Sequence, residues 1–342
     1  MDKRVIFAVA GSGKTTYIIN KLDLQKRALI LTYTNNNYNN LKIGISKKFG
    51  YIPANIKVMT YYDFLYNFCF KPLLSHQVKA AGINWSPNTS RYHKATDRGY
   101  FIDSFDRLYS NRITKYFKET GIETEINERV VQYFDMLFID EVQDFGGHDF
   151  NFLKNIAQAN MDICLVGDFN QHTYDTSKDG NVNGTLHDDY NRYQAHFRSM
   201  GLSIDTTTLV KSYRCNPEIC KFITIKLGIH IESNRTDKSQ WYTVSMEDEA
   251  ERLFNNNAIV KLFYDEHSAY KCYSNNWGAS KGEDHYNDVC IIMNRKSWKH
   301  LEDDNLNTLP SATKNKLYVA ISRTKGDLYF APDSMFKAYK NK

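Results

Sequence analysis

Residues 10–16 of the 342-residue chain read Ala10-Gly11-Ser12-Gly13-Lys14-Thr15-Thr16. They follow an apolar run, Arg4–Val9, that is typical of a β-strand, and they precede Tyr17–Leu22, which has helical spacing. A glycine-rich turn between a strand and a helix lets backbone N–H groups close on phosphates, and the positive end of the helix faces them. The stretch therefore predicts a loop that binds the phosphates of a nucleoside triphosphate.

Individual side chains of this loop have predicted roles. Lys14 is expected to neutralise the β- and γ-phosphates, and Thr15 to offer its hydroxyl to Mg²⁺. Ala8 stands where the general pattern has its first glycine, whereas Gly13, Lys14 and Thr15 stand at the required places. The predicted cofactors are therefore ATP and Mg²⁺.

A second strand, Asp135–Ile139, runs directly into two carboxylates, Asp140 and Glu141. The carboxyl edge of an open parallel sheet is where such folds bind ligands. We expect Asp140 to hold Mg²⁺, and Glu141 to orient and deprotonate the attacking water. Together with the loop, this pair predicts hydrolysis of ATP or a close relative.

Apolar runs that are typical of strands alternate with helical segments along the whole chain, which predicts an α/β fold with parallel sheets. In the first 210 residues the other predicted strands are Ala28–Tyr33, Ile56–Thr60, Asp162–Val166 and Asp205–Leu209, and the other helices are Asn36–Phe49 and Asp149–Ala159. Farther along, the predicted helices are Pro217–Leu227, Met246–Tyr264 and Ala312–Ser322, and the strands are Ala269–Ser274, Asp288–Met293 and Asp327–Phe330. We expect a first domain over 1–205, with a small insertion at about 67–130, and a second over 206–342.

The amino-acid composition excludes few classes of function. Lys and Arg (44) exceed Asp and Glu (39) by five, which is too mild an excess to indicate nucleic acid by itself. The stretch between Lys71 and Arg98 is more basic and carries Trp85 and Tyr92, which suits either a nucleic-acid face or an ordinary solvated surface. The six cysteines lack metal-ligand spacing, and no apolar run approaches the roughly 20 residues that cross a bilayer. With no signal-peptide pattern at Met1, a cytoplasmic protein without membrane contact is expected.

The ordered set of motifs resembles superfamily 1A DNA helicases of the UvrD/Rep/PcrA branch, as a short stand-alone UvrD-like member, over residues 5–330. The segments that carry the resemblance, besides the phosphate loop, are Leu31-Thr-Tyr33-Thr34-Asn35, Thr60-Tyr61-Tyr62-Asp-Phe64, Asp140-Glu141-Val-Gln-Asp144, Leu165-Val-Gly-Asp168-Phe-Asn-Gln171-His-Thr-Tyr174, Leu209-Val-Lys-Ser-Tyr213-Arg214, Ser280-Lys-Gly282-Glu283-Asp284 and Tyr318-Val-Ala-Ile-Ser-Arg323-Thr. The resemblance implies two RecA-like P-loop NTPase domains that sandwich ATP. The stretch between Arg214 and Ser280 is too short for the large insertion that larger relatives carry in the second domain.

The resemblance also implies site residues beyond the phosphate loop. Arg214 and Arg323 would stabilise charge on the γ-phosphate in the transition state, and Gln171 would sense that phosphate. Tyr213 would stack on adenine. The ribose would lie near Gly282, with either Glu283 or Asp284 as its acidic ligand, an alternative that the sequence leaves open.

The predicted contacts with single-stranded DNA come from four of these segments. They are Tyr33, Thr34, Asn35, Thr60, Tyr61, Tyr62, Phe64 and Tyr174. Aromatic rings are platforms for unpaired bases, but Tyr61 and Phe64 are equally well interpreted as core residues. Thr176 stands where the family has a further aromatic residue, and a polar stretch, 177–184, follows it. Whether this chain grips the strand or steps along it as the family does is therefore left open.

Three hypotheses follow from the motifs. The first is an ATP-dependent translocase on single-stranded DNA that unwinds tailed duplex DNA with 3′→5′ polarity. The second is a nucleotide-gated, DNA-sensing switch that is partnered with a nuclease in a phage-defence module. The third is a translocase on RNA. Because no segment before the phosphate-loop strand supplies a glutamine that reads adenine, selectivity for ATP is also left open.

Overall fold

The structure is a computed structural model, and it describes residues 1–88 and 93–341. The described chain forms two compact units. The first comprises Met1–Ile6, Lys14–Gly167 and Tyr174–Asp205, and the second comprises Phe7–Gly13, Asp168–Thr173 and the chain from Thr206 onward.

The first unit is built on parallel strands with helical crossovers. Its strands are β1 (Lys3–Phe7), β2 (Ala28–Thr32), β3 (Ile56–Thr60), β4 (Gly82–Asn84), β5 (Arg107–Tyr109), β6 (Met136–Asp140), β7 (Asp162–Gly167) and β8 (Ser203–Asp205). Its helices are α1 (Lys14–Lys21), α2 (Asn35–Phe49), α3 (Tyr61–Asp63), α4 (Lys71–Leu74), α5 (Arg98–Phe101), α6 (Ile113–Thr120), α7 (Glu123–Tyr133), α8 (Gly147–Ile156) and α9 (Tyr190–Ser199), with a π-helical segment at Phe64–Phe70 and 3₁₀ turns at Ser110–Arg112 and Val142–Asp144.

Six of these strands form one sheet in the order β3-β2-β6-β7-β1-β8. The pairings β3–β2, β2–β6, β6–β7 and β1–β8 are parallel, as between Ala28 of β2 and Met136 of β6. Central strands such as β2 are buried along their whole length, which is expected where helices cover both faces of a parallel sheet. Because β6 runs to Asp140, this topology places the acidic residues at the carboxyl edge of the sheet. Strands β4 and β5 pair separately as a small sheet.

The second unit contains a five-stranded parallel sheet in the order β11-β15-β14-β12-β13. The strands of the second unit are β9 (Lys211–Ser212), β10 (Glu232–Ser233), β11 (Trp241–Thr243), β12 (Ile259–Phe263), β13 (Ser274–Asn276), β14 (Asp288–Met293) and β15 (Leu328–Pro332). Of these, β9 and β10 pair separately as a two-stranded sheet. The helices of this unit are α10 (Pro217–Phe222), α11 (Glu247–Asn255), α12 (Arg295–Glu302) and α13 (Ser311–Ile321), with a π-helical segment at Ile223–Leu227 and 3₁₀ turns at Phe169–Gln171, His267–Ala269, Leu306–Thr308 and Asp333–Tyr339. Buried Leu262, Ile291 and Phe330 from adjacent strands share one core with α13.

The predicted α/β class with two parallel sheets is confirmed, and the sheets are those of RecA-like domains. Three predicted elements are wrong. The strand expected over Asp205–Leu209 is not formed, because β8 covers Ser203–Asp205 and the chain turns after Asp205. The helix expected over Met246–Tyr264 ends at Asn255, and the remainder is strand β12; the strand expected over Ala269–Ser274 is a 3₁₀ turn and loop that lead into β13. Within the described residues, no helix combines the length and the apolar character that a bilayer crossing requires.

Candidate functional site

The first half of the phosphate loop lies in the second unit and has a backbone that only glycine adopts easily. Gly11 and Gly13 have φ of +68° and +81°, in the left-handed region. A Cβ at Gly11 would come within 2.8 Å of Arg214 Cβ and Ser212 Oγ. The carbonyl of Gly11 accepts a hydrogen bond from the N–H of Tyr213 at 2.8 Å. The loop is therefore held directly against the segment that carries Tyr213 and Arg214.

The polar side chains of the loop suit a phosphate ligand. Ser12 is 3% exposed, and its buried Oγ has no hydrogen-bond partner. A buried hydroxyl in that state costs free energy unless a ligand satisfies it. Ala10 is buried, whereas Thr15 is half-buried and Thr16 is exposed in the first turn of α1.

Lys14 and Glu141 form an ion pair in the first unit. The distance from Lys14 Nζ to Glu141 Oε1 is 3.5 Å, and the two side chains are 11% and 13% exposed. A lysine so placed presents a positive charge that can turn from the carboxylate to a phosphate oxygen.

The end of β6 is shaped by hydrogen bonds among its own residues. Asp140 is 2% exposed, and its Oδ1 accepts the N–H of Glu141 at 3.0 Å. Gln143 Nε2 donates to Glu141 Oε2 at 2.7 Å. Gln143 has no exposed surface, and the sequence analysis assigned it no role. The only signal for this contact in the sequence is the presence of Gln143 in the motif, because the contact itself depends on the 3₁₀ turn Val142–Asp144.

These residues fit a magnesium nucleotide. The hydroxyl of Thr15 and the carboxylate of Asp140 are the hard oxygen donors that Mg²⁺ prefers, and Ser12 leaves a buried hydroxyl to be satisfied. When bound, Mg²⁺ supplies neutralisation of phosphate charge.

Arg323 and Gln171 are in contact within the second unit. Arg323 Nη2 donates to Gln171 Oε1 at 3.4 Å, and Gln171 Nε2 donates to Asp168 Oδ2 at 2.8 Å. The guanidinium of Arg323 also donates from Nη1 to the carbonyl of Glu283 at 3.1 Å and from Nε to that of Val319 at 3.3 Å. These groups come from three motifs that are far apart in the sequence, and Arg323 is only 2% exposed.

Arg214 lies close to the same residues. Its Nη1 donates to the carbonyl of Ser322 at 3.2 Å, and its Nη2 pairs with the carboxylate of Asp284. Arg323 Nη1 is 3.9 Å from that carboxylate, which is 69% exposed, whereas Glu283 pairs with His285 at 3.1 Å. Of the two acidic candidates, Asp284 is thus the one whose carboxylate lies beside the arginines.

Tyr213 and Gly282 are also accessible to a ligand. Tyr213 is 63% exposed, so its side chain is accessible from solvent. Gly282 has φ of +90°, and a Cβ there would meet nothing within 4 Å.

Three of the predicted DNA-contacting rings lie together in the first unit. The Tyr33 ring is 5.4 Å from that of Tyr174 and 5.7 Å from that of Tyr62, and Tyr62 is 4.7 Å from Trp85. Tyr174 and Trp85 are 37% and 64% exposed. Thr34 and Asn35 are exposed beside Tyr33. Burial raises the pKa of the Tyr174 phenol, so the ring stays neutral. Tyr92 lies outside the described residues.

The structure does not support base stacking by Tyr61 or Phe64. They are 1% and 0% exposed, and Tyr61 packs on Phe145 with ring centroids 4.7 Å apart. Tyr62 is 8% exposed, and its hydroxyl donates to the carbonyl of Thr176 at 3.0 Å. The Oγ1 of Thr60 caps the helix that begins at Tyr61. This segment therefore forms the support beneath the exposed rings.

The fold and the site define a P-loop protein with two RecA-like sheets. Residues 84–178 match the family model of the UvrD/REP helicase N-terminal domain, which confirms the resemblance predicted from the motifs. The comparison with curated proteins gives no match.

Solved helicases share the fold. The chain is similar to the crystal structure of Arterivirus nonstructural protein 10 (helicase), with a TM-score of 0.51 and 13% identity over 98% of this chain and 62% of that one. A complex of Arterivirus nonstructural protein 10 with DNA gives a TM-score of 0.50 and 14% identity, with the same coverage. The chain thus spans about 62% of the length of these helicases, and the likeness is one of fold.

Proposed function

We propose that this protein is an ATP-dependent translocase on single-stranded DNA that unwinds tailed duplexes with 3′→5′ polarity. The observation that carries the proposal is the convergence of Arg323 and Gln171, with Arg214 set against Gly11 of the phosphate loop. A helicase solved with DNA has the same fold, which supports a nucleic-acid ligand.

Each charged residue has a proposed task in hydrolysis. Lys14 holds the β- and γ-phosphates, and Thr15 and Asp140 hold Mg²⁺. Glu141 accepts a proton from the attacking water, and Gln143 fixes the direction of that carboxylate. Arg214 and Arg323 stabilise the charge that spreads over the γ-phosphate oxygens, a contribution of about 10³–10⁵ in rate. Tyr213 stacks on the base, and Asp284 or Glu283 binds the ribose beside Gly282.

Nucleic acid would bind to exposed residues at the carboxyl edge of the first sheet. Tyr33 and Tyr174 offer rings to unpaired bases, and Thr34 and Asn35 offer polar contacts to the backbone. Binding that depends on phosphate contacts weakens steeply as salt rises. Hydrolysis alternates the two proposed domains, 1–205 and 206–342, between conformations of different affinity for the strand.

Strand separation tests the proposal most broadly. Duplexes with a 3′ tail, a 5′ tail or blunt ends are incubated with the protein, with and without ATP. We expect ATP-dependent unwinding of the 3′-tailed duplex alone, and none by Glu141→Gln. Unwinding of only the 5′-tailed duplex would refute the polarity.

A second function is favoured by one observation. Thr176, which stands in place of an expected aromatic ring, is 5% exposed and cannot grip a base. A nucleotide-gated switch partnered with a nuclease needs no such grip. ATP hydrolysis stimulated by DNA without strand separation, together with stable co-purification of a nuclease, would select this alternative. Stronger stimulation by a matched RNA oligomer would select the RNA translocase.

A further inference from the structure

The hydroxyl of Tyr318 joins two motifs of the second unit. Tyr318 lies on α13 and has no exposed surface. Its Oη accepts the backbone N–H of Ala10 in the phosphate loop at 2.9 Å and donates to Asp168 Oδ2 at 3.1 Å. A phenol has one proton to donate, and here it is directed to the carboxylate. Burial, reinforced by the Asp168 charge, raises the pKa of Tyr318 well above its usual value, so the proton is retained.

Asp168 links Tyr318 to Gln171, because its carboxylate accepts hydrogen bonds from both. The same Oδ2 that accepts from Tyr318 accepts from Gln171 Nε2 at 2.8 Å, while Oδ1 accepts the N–H of Asn170 at 3.1 Å. Because the carboxylate takes the amide nitrogen of Gln171, the amide oxygen faces Arg323. The carboxylate thus decides which end of the Gln171 amide meets the arginine.

α13 links the two ends of this network. Arg323 follows the helix by two residues, and its Nε donates to the carbonyl of Val319, one residue after Tyr318. A displacement of the phosphate loop at Ala10 therefore acts on the helix that carries Arg323, and it acts on Gln171 through Asp168. The hydrogen-bonded set of Ala10, Tyr318, Asp168, Gln171 and Arg323 is called the Tyr318 relay below.

We propose that Tyr318 and Asp168 are positioning residues that couple the phosphate loop to Gln171 and Arg323. Neither touches the phosphates. Their task is to hold the amide and the guanidinium in the geometry that the transition state needs. The role rests on the proposed function, because it concerns the hydrolysis assigned to that site.

The first test is independent of activity. Hydrogen exchange is measured by mass spectrometry on the nucleotide-free protein and on Tyr318→Phe, which keeps the ring and removes the hydroxyl. We expect the Ala10 amide to exchange at least about tenfold faster in the variant, while amides of β14 are unchanged, because only the former loses its acceptor. Unchanged protection at Ala10 would overturn the relay. So would equally faster exchange throughout the second unit, since it would mean a purely structural role.

The second test uses hydrolysis. Tyr318→Phe and Asp168→Asn should each lower kcat for ATP by about tenfold or more, with equilibrium ATP binding within about threefold of the wild type, because ground-state binding does not need the aligned arginine. An amide at 168 offers one acceptor oxygen where the carboxylate uses two. The double variant should lose no more than the worse single variant, because both changes break one network.

Multiplicative losses in the double variant, or a wild-type kcat in Tyr318→Phe, would contradict the proposal. The control is Tyr66→Phe, which removes a partly buried tyrosine hydrogen bond, 2.9 Å to the carbonyl of Ala80 in the first unit, and should keep full activity. If the wild type itself hydrolyses no nucleotide, the proposed function fails, and the exchange experiment still decides the relay.

Discussion

Glu141 combines a side chain with a proposed catalytic role and an uncommon backbone conformation. Its φ of +58° lies in the left-handed region, which non-glycine residues seldom adopt. Such conformations cost about 1–3 kcal/mol and concentrate at functional sites. The conformation sends the chain into the Val142–Asp144 turn, from which Gln143 reaches back to the Glu141 carboxylate.

Glu141→Gln is predicted to abolish turnover without abolishing ATP binding. The substitution keeps the shape and removes the proton acceptor, so kcat should fall by about 10²–10⁴. Steady-state hydrolysis and equilibrium binding of ATP measure the two effects. Glu128→Gln, an exposed change on α7, is the control and should behave as the wild type. Turnover at the wild-type rate in Glu141→Gln would show that another group accepts the proton.

Arg323→Lys is predicted to be nearly as inactive as Arg323→Ala. The guanidinium makes three hydrogen bonds with separate groups, which a single ammonium cannot reproduce in the same plane. Both variants should lose about 10³ or more in kcat. The control is Arg252→Ala, whose side chain is 76% exposed. Restoration of activity by lysine would mean that charge alone is needed.

At the scale of elements, helices α6 and α8 are joined by a buried carboxylate. Thr114 Oγ1 on α6 donates to Asp149 Oδ1 on α8 at 2.8 Å, and Asp149 is 1% exposed. Burial raises the pKa of Asp149 to about 6. The unfolded chain binds this proton less tightly, so the stability that the protonated form provides is fully present below about pH 4 and is lost as pH rises through about 6.

Asp149→Asn should therefore remove part of the pH dependence of stability. At pH 8 the variant is expected to be more stable than the wild type by up to about 3 kcal/mol, and the difference should shrink towards pH 4. Urea unfolding between pH 4 and 8 measures it. Exposed Asp188→Asn should leave the profile unchanged. Parallel profiles for the wild type and Asp149→Asn would contradict a raised pKa.

A second prediction at this scale concerns the aromatic rings at the end of β2 and in the loop at Tyr174. Tyr33→Ala and Tyr174→Ala should each weaken binding of an oligo-dT strand by about 1–3 kcal/mol, because each removes a stacking ring. Fluorescence anisotropy at fixed salt measures the affinity. Tyr51→Ala, which removes a ring that is 56% exposed after α2, should bind normally. Equal losses in all three variants would indicate a non-specific effect.

At the scale of the whole molecule, periodicity predicts most of the fold. Strands such as β2, β6 and β14 are apolar runs, and helix α2 is long, so these elements are recognised as regular structure without tertiary information. Strand β12 fails this rule. Lys261 interrupts its apolar run and so extends the helical spacing from α11, yet it is buried, with its ammonium donating to the carbonyls of Asn256 and Ile259.

The candidate site also contains both residues that the sequence predicts and residues that it does not. Lys14, Asp140 and Glu141 are predicted as site residues from the sequence alone, because the spacing of their motifs corresponds to a loop and a strand end. The proposed roles of Gln143, Asp168 and Tyr318 depend on contacts that only the folded chain creates. The sequence carries no signal for these contacts beyond the presence of the three residues in the motifs. The burial of Tyr61 and Phe64 in the structure shows that both are core residues. The sequence does not predict this burial, because both residues have polar neighbours.

The most direct test is ATP hydrolysis by the wild type, with and without unstructured single-stranded DNA, beside Arg323→Ala and Arg214→Ala. The account predicts hydrolysis that DNA stimulates manyfold, that weakens steeply with salt, and that falls by about 10³ or more in either arginine variant. DNA-stimulated hydrolysis that persists at the wild-type rate in both variants would contradict it.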